Sequence, residues 1–296
     1  MPAIPYAQCY ANASSFKGRT VVITGAGSGF GRATAIDFAK HGARVVLGDV
    51  DEKGMRETVS QIERAHGSNV VVSRRCDVTN WDDQVALFAA GAQAFGSIDV
   101  VLPNAGINEM GRFDPREDGD VTKLTKPNLK TLDVDLTAVL YTTRIALWYF
   151  VNDKRSDPGV RAIIFTGSMS TFYGSEGVMY GAAKAGILGI QKGIEKVARE
   201  LNIRVATVCP YFSKTAILTS DFVHPTPKLG YAKVEDVVSA FVAAITDSDP
   251  KTNFGCYLIP DQWGVYRMNS HGQFIGAEGA RRTREEMKAL LSKGKL

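Results

Sequence analysis

Between residues 20 and 260, short β-branched apolar runs alternate with longer stretches of helical periodicity, and this alternation limits the fold more than any other feature of the chain. Strands are expected at 20–24, 44–48, 70–73, 99–102, 162–166, 204–208 and 256–259. Helices are expected at 29–41, 53–65, 81–95, 129–151, 180–201 and 234–246. Near-continuous apolar strands separated by helices imply parallel strands covered on both faces. No linker interrupts the pattern. The expectation is a single doubly wound α/β domain with a mostly parallel seven-stranded sheet, spanning 17–265. Residues 1–16 read as an N-terminal extension and 266–296 as a C-terminal tail. The stretches 108–126 and 211–233 read as loops, as does the chain beyond 261. In such a sheet the ligand sits at the carboxyl ends of the strands, so the first two loops should border the site.

Apolar residues make up 45% of the chain and charged residues 22%, enough for a large core without disulfides or metals. Cys9, Cys76, Cys209 and Cys256 lie far apart and have no metal-ligand or redox spacing, so they read as free thiols in a reducing compartment. No metal is expected. The net charge of +4 is matched by the last sixteen residues, which carry six basic and two acidic side chains. The body is therefore near neutral, without the basic surface that nucleic acid requires. No apolar run is long enough to span a bilayer, and residues 1–16 have no secretory pattern. A cytoplasmic location is expected.

The strand at 20–24 runs into Gly25-Ala26-Gly27-Ser28-Gly29-Phe30-Gly31 and then into a helix. A dinucleotide pyrophosphate needs close backbone approach, and the free amides of a helix start favour its charge. This is the first turn of a Rossmann-type dinucleotide site. Asp49 closes the second strand, where a carboxylate can accept both adenosine ribose hydroxyls and would repel a 2′-phosphate. No Arg or Lys stands between Gly25 and Gly31, nor between Asp49 and Lys53, so NAD is favoured over NADP. Asp49 could instead cap the next helix, as could Asp51.

Tyr180 and Lys184 stand four residues apart in a helical pattern and face the same way. An ammonium beside a phenol favours the phenolate, which suits proton exchange with an alcohol near neutral pH. Ser168 follows the fifth strand, where it can donate to a substrate oxygen. Ser170 competes for that role.

Taken together these motifs resemble the short-chain dehydrogenase/reductase family over about 17–260. Thr24-Gly25-Ala26-Gly27-Ser28-Gly29-Phe30-Gly31 matches its cofactor loop, and Asp77-Val78 its adenine-contacting pair. Asn104-Ala105-Gly106 matches the motif after its fourth strand. Ser168, Tyr180 and Lys184 match its catalytic trio. Cys209-Pro210 with Thr215 resembles the segment whose Thr contacts the nicotinamide. The stretch 204–218 looks most like the NAD-dependent 15-hydroxyprostaglandin dehydrogenase group. The resemblance implies hydride transfer between a nicotinamide and a secondary alcohol or ketone. Tyr180 would be the acid/base, Ser168 would orient the oxygen, and Lys184 would hold the nicotinamide ribose. A homodimer or homotetramer is implied as well.

Two positions depart from the family. Asp135 stands where an Asn usually holds a water beside the Lys, with Asp133 as the alternative if the alignment is off by a turn. Tyr211 replaces the usual Gly after Pro210. Asp135 keeps open a non-redox cyclase or isomerase on the same fold. Ser170, Phe172, Tyr173, Val178, Met179, Tyr211, Phe212, Ile217, Leu218 and Phe222 are expected on the substrate rim, which suits an apolar or aromatic small molecule.

Overall fold

The computed structural model describes residues 3–111, 113–117, 119–156, 158–173, 177–218, 230–260, 262 and 264–268. The chain opens with a short helix α1 (Tyr6–Cys9). It then alternates β1 (Thr20–Thr24), α2 (Gly29–Lys40), β2 (Arg44–Asp49), α3 (Glu52–His66), β3 (Val71–Arg75), α4 (Trp81–Phe95) and β4 (Val100–Leu102). After the loop at 103–129 come α5 (Lys130–Leu132), a π-helical segment at Asp133–Thr137 and α6 (Ala138–Asn152). β5 (Ala162–Thr166), α7 (Ser170–Tyr173), α8 (Val178–Gly193), α9 (Glu195–Glu200) and β6 (Arg204–Pro210) follow. The last elements are α10 (Val234–Thr246), β7 (Cys256–Ile259) and β8 (Tyr266–Met268).

The strands form one sheet in the order β3-β2-β1-β4-β5-β6-β7-β8. All neighbours are parallel except β7 and β8, which are antiparallel. The strand order reverses between β1 and β4, and a crevice opens at the carboxyl ends there. The two sheet faces bury separate cores because alternate side chains point to opposite sides. Val21, Ile23, Val45 and Leu47 pack on one face with Phe38 and Phe241. Val22, Val46, Val101 and Ile163 pack on the other with Phe88, Ile187 and Phe150.

The helix starts follow local chemistry. Asp51 caps α3 by accepting from Lys53 N (3.1 Å) and Gly54 N (3.0 Å). Asn80 caps α4 through Asp82 N and Asp83 N, and the left-handed Gly96 ends it.

Four expectations need correction. The sheet has eight strands, not seven, because β8 adds an antiparallel edge inside the stretch read as tail. Its three residues, Tyr-Arg-Met, are too few to carry a period. The helix expected at 129–151 is broken by the π-helical segment, and that expected at 180–201 starts at Val178 and breaks at Ile194. The stretch read as an N-terminal extension packs onto the domain from residue 3 to residue 16. Cys9, Ala13 and Phe16 are buried, Phe16 stacks on Phe38, and Ile4 N donates to Val265 O at 2.7 Å.

Candidate active site

The crevice holds a cavity of about 670 Å³, a size that takes a small ligand. Its walls come from the carboxyl ends of β1, β2, β4, β5 and β6 and from the turns that follow them.

At one end, Gly25, Ser28, Gly29 and Phe30 line the cavity where β1 turns into α2. Ser28 makes no side-chain cap bond, which leaves the helix start to a ligand. Gly31 does not line the cavity. A Cβ there would lie 2.1 Å from Gly25 O, so its role is to let α2 pack against the loop. Asp49 Oδ2 accepts from Gly27 N at 2.8 Å and Oδ1 from Asp51 N at 2.9 Å. The helix cap is Asp51, and Asp49 faces the cavity. Asp77 and Val78 line the same end. Bonds from the Thr79 hydroxyl and amide hold the Asp77 carboxyl below its ordinary range. Asn104 ties β4 to the loop. Its Nδ2 donates to Thr24 O at 2.9 Å and its N to Thr24 Oγ1 at 3.0 Å. These glycines, the open helix start and the carboxylate fit a dinucleotide.

At the other end, Ser168, Tyr180 and Lys184 meet beside Asn104, Ala105 and Gly106. Ser168 Oγ accepts from Ser170 N at 3.1 Å. The Lys184 Nζ lies 5.4 Å from the Tyr180 ring centre. It is buried and paired with the fully buried Asp135 at 2.9 Å. Asp135 Oδ1 accepts from Ile107 N at 2.8 Å. Asp133 is exposed, so Asp135 is the inward residue. Burial favours the neutral amine. The Asp135 carboxylate and the Tyr180 phenol outweigh it and hold Lys184 above the ordinary lysine range. Two buried thiols, Cys76 at the opposite end of the cavity beside Asp49 and Asp77 and Cys209 near Lys184, do not act as thiolates. Burial pushes Cys76 up to about 12, and burial with the neighbouring Cys256 pushes Cys209 well above its usual value.

Pro210, Tyr211, Phe212, Thr215, Ile217 and Leu218 line the side of the cavity built by the turn after β6. Ser170 lines it too. Val178, Met179 and Phe172 do not, and these expectations are corrected. Met179 is 2% exposed, turned away from the cavity although it adjoins Tyr180. Phe172 packs with Met169, Cys209, Cys256 and Leu258. The Tyr173 side chain, Phe222 and residues 269–296 lie outside the described residues.

The reading of the sequence missed Glu109. Its carboxylate lines the cavity and accepts from the backbone amides of Met179 and Tyr180. Nothing local in the loop marks it, because its partners lie about seventy residues away. Ile107, Asn108 and Lys130 also line the cavity unforeseen.

Residues 19–224 match the family model of the short chain dehydrogenases. The chain belongs to the short-chain dehydrogenase/reductase family. It is 32% identical over 212 residues to the short-chain dehydrogenase/reductase ascJ of Acremonium egyptiacum, covering 69% of this chain and 67% of that protein. It is 31% identical over 255 residues to 3beta-hydroxysteroid dehydrogenase 1 of Eggerthella lenta, covering 83% and 93%. A crystal structure of 3-ketoacyl-(acyl-carrier-protein) reductase from Brucella melitensis complexed with NADH shares the fold. Its TM-score is 0.66 at 24% identity, over 78% of this chain and 92% of that one. This short-chain dehydrogenase is thus an oxidoreductase, and the cyclase or isomerase alternative is not favoured. Among the described residues no helix is long and apolar enough to cross a membrane.

Proposed function

We propose that the chain is an NAD-dependent dehydrogenase that interconverts a secondary alcohol and a ketone on an apolar small molecule. The observation that carries this reading is the pairing of the two cavity ends. Asp49 stands at one, and Ser168, Tyr180 and Lys184 stand together at the other. The relatives' names, which include a hydroxysteroid dehydrogenase, and an NADH complex among the solved structures support it.

The bound dinucleotide would supply the hydride acceptor for oxidation and the donor for reduction. Ser28, Gly29 and Phe30 would hold its pyrophosphate at the start of α2, with Gly31 letting the helix come close. Asp49 would accept from the adenosine ribose hydroxyls, and a 2′-phosphate there would meet a like charge. Asp77 and Val78 would flank the adenine. Asn104, Ala105, Gly106, Pro210 and Thr215 would border the nicotinamide half. Tyr180 takes the alcohol proton during oxidation and returns it during reduction. Ser168 donates to the same substrate oxygen and fixes its direction. Lys184 serves the nicotinamide ribose while Asp135 anchors it in place of the usual Asn. Tyr211, Phe212, Ile217 and Leu218 give the substrate an apolar wall, and Ser170 is a polar neighbour to it.

Within the family we place the chain beside the 15-hydroxyprostaglandin dehydrogenase group, on the strength of residues 204–218. Four buried free cysteines support a cytoplasmic setting. We also infer a homodimer or homotetramer, since Leu140, Trp148 and Val151 expose apolar surface along α6.

The test is a screen of neutral and charged secondary alcohols and ketones at 340 nm with NAD(H) and NADP(H) in parallel. Turnover of apolar substrates with NAD(H) is expected. Turnover with NADP(H) alone overturns the cofactor reading, and turnover confined to charged substrates overturns the substrate reading.

A further inference from the structure

We propose that Glu109 is a positioning residue that clamps the start of the catalytic helix and so sets where Tyr180 stands in the cleft. The proposal rests on the reading of Tyr180 as the acid/base.

α8 begins after Gly177, which has no side chain to cap it. The first amides of a helix have no partner within it and are costly to leave unpaired in a cleft. Glu109 supplies the missing acceptor from another part of the chain. Its Oε1 accepts from Met179 N at 3.1 Å and its Oε2 from Tyr180 N at 2.7 Å. A carboxylate also complements the positive end of the helix dipole. The second of these amides belongs to Tyr180 itself, so the clamp holds the main chain from which the phenol hangs.

The clamp is in turn held firmly. Ile107 N donates to Asp135 Oδ1 at 2.8 Å. Thr131 Oγ1 donates to Asn108 O at 3.1 Å and accepts from Met110 N at 2.9 Å. Asn108 Nδ2 donates to Ile217 O across the cavity mouth. The four residues from Ile107 to Met110 therefore fix both Asp135, the partner of Lys184, and the amide of Tyr180. They tie the start of the helix that carries Tyr180 and Lys184 to the segment that carries Asp135.

Gly177 is an independent sign that the carboxylate belongs there. Its backbone, with φ −76° and ψ 109°, would accept any residue. A Cβ on it, however, would lie 2.8 Å from Glu109 Oε2 and 3.0 Å from Glu109 Cβ. The site needs glycine for the space that Glu109 fills.

The test is steady-state kinetics on the full chain, with NADH affinity measured alongside to show that each variant is folded. Glu109→Ala should lower kcat about tenfold, because a small misplacement of the acid/base costs rate without costing binding. KM and NADH affinity should stay within about twofold. Glu109→Gln keeps one acceptor oxygen and should recover part of the loss. Gly177→Ala should lower kcat by crowding the Glu109 side chain, and the double variant Glu109→Gly/Gly177→Ala should be no worse than Glu109→Gly alone, because the carboxylate and the Cβ that would be crowded are both gone. Losses that multiply in the double variant overturn the clamp. A raised KM with unchanged kcat in Glu109→Ala overturns it as well, and assigns Glu109 to substrate contact. Wild-type kcat in Glu109→Ala with an inactive Tyr180→Phe overturns the clamp alone. Retained turnover in Tyr180→Phe overturns the reading of Tyr180 and the clamp with it.

Discussion

The two ends of the cleft are built by different means. The adenosine end is local. Gly25 to Gly31, Asp49 and Asp51 fall on one β-α-β run, and their bonds are largely from backbone amides to a carboxylate. The catalytic end is assembled from side chains that lie far apart in sequence. Lys184 meets Asp135 from another helix, and Glu109 reaches the amide of Tyr180 across seventy-one positions. A backbone-built site resists single substitutions because the groups that bind remain. A site built from charged side chains depends on every partner. Substitutions that delete a polar group at the catalytic end should therefore cost more than those at the adenosine end, and only one that keeps its hydrogen bonds should cost less.

The largest effect should come from Tyr180→Phe. It removes the proton-carrying group and keeps the ring, so turnover should fall by at least ~10²–10⁴-fold while NADH binding stays within about threefold. Parallel rate measurements and calorimetric titration would check this. Equal losses at both steps would break the contrast between the ends.

Lys184→Ala should come next, and in stability as well as rate. It leaves the Asp135 carboxylate buried without its counter-ion, an omission that costs about 3–5 kcal/mol. The folded-state Lys184 titrates above its ordinary value. Its contribution to stability is therefore complete below the ordinary lysine value and is lost as pH rises from there through the folded value. Urea denaturation should show the same gap between wild type and variant at about pH 6 and about pH 9. A gap that closes within that window would show that the pair is not the source of the loss.

Asp49→Ala should be milder. In the proposed cofactor pose it removes the ribose acceptor and the repulsion of a 2′-phosphate, and so should narrow the proposed preference for NAD over NADP by about tenfold, or ~1.4 kcal/mol. Unchanged relative affinities would place discrimination elsewhere at that end.

The smallest effect should be that of Asp135→Asn. The neutral side chain still accepts from Ile107 N and Lys184, and it leaves the ammonium free to favour the tyrosinate. The rising limb of alcohol oxidation should move to lower pH by about one unit or less, with activity kept. A pH–rate profile on one substrate decides it. An inactive variant would mean that Asp135 moves a proton itself.

The difference between the ends also explains what was legible in the sequence. The strands, the cap Asp51, the glycine loop and Asp49 all obey short-range rules. Tyr180 and Lys184 could be read because helical spacing puts them on one side. Glu109 could not, since an acidic residue in a long loop has no local mark. Met179 and Phe172 were misplaced for a related reason. Sequence adjacency to a functional residue does not put a side chain on the same face. β8 escaped because three half-polar residues carry no alternation, and their strand character comes from the paired β7.

The π-helical segment at Asp133–Thr137 has a consequence for how this region can change. Thr131 before it holds Asn108 and Met110, while Asp135 within it holds Ile107. One residue of an α-helix spans about 100° of rotation, so losing one position here would rewind the segment and turn its two sides out of phase by that angle. Thr131 and Asp135 could then no longer serve the same strand of loop. Changed letters in this segment should be borne far better than a changed count.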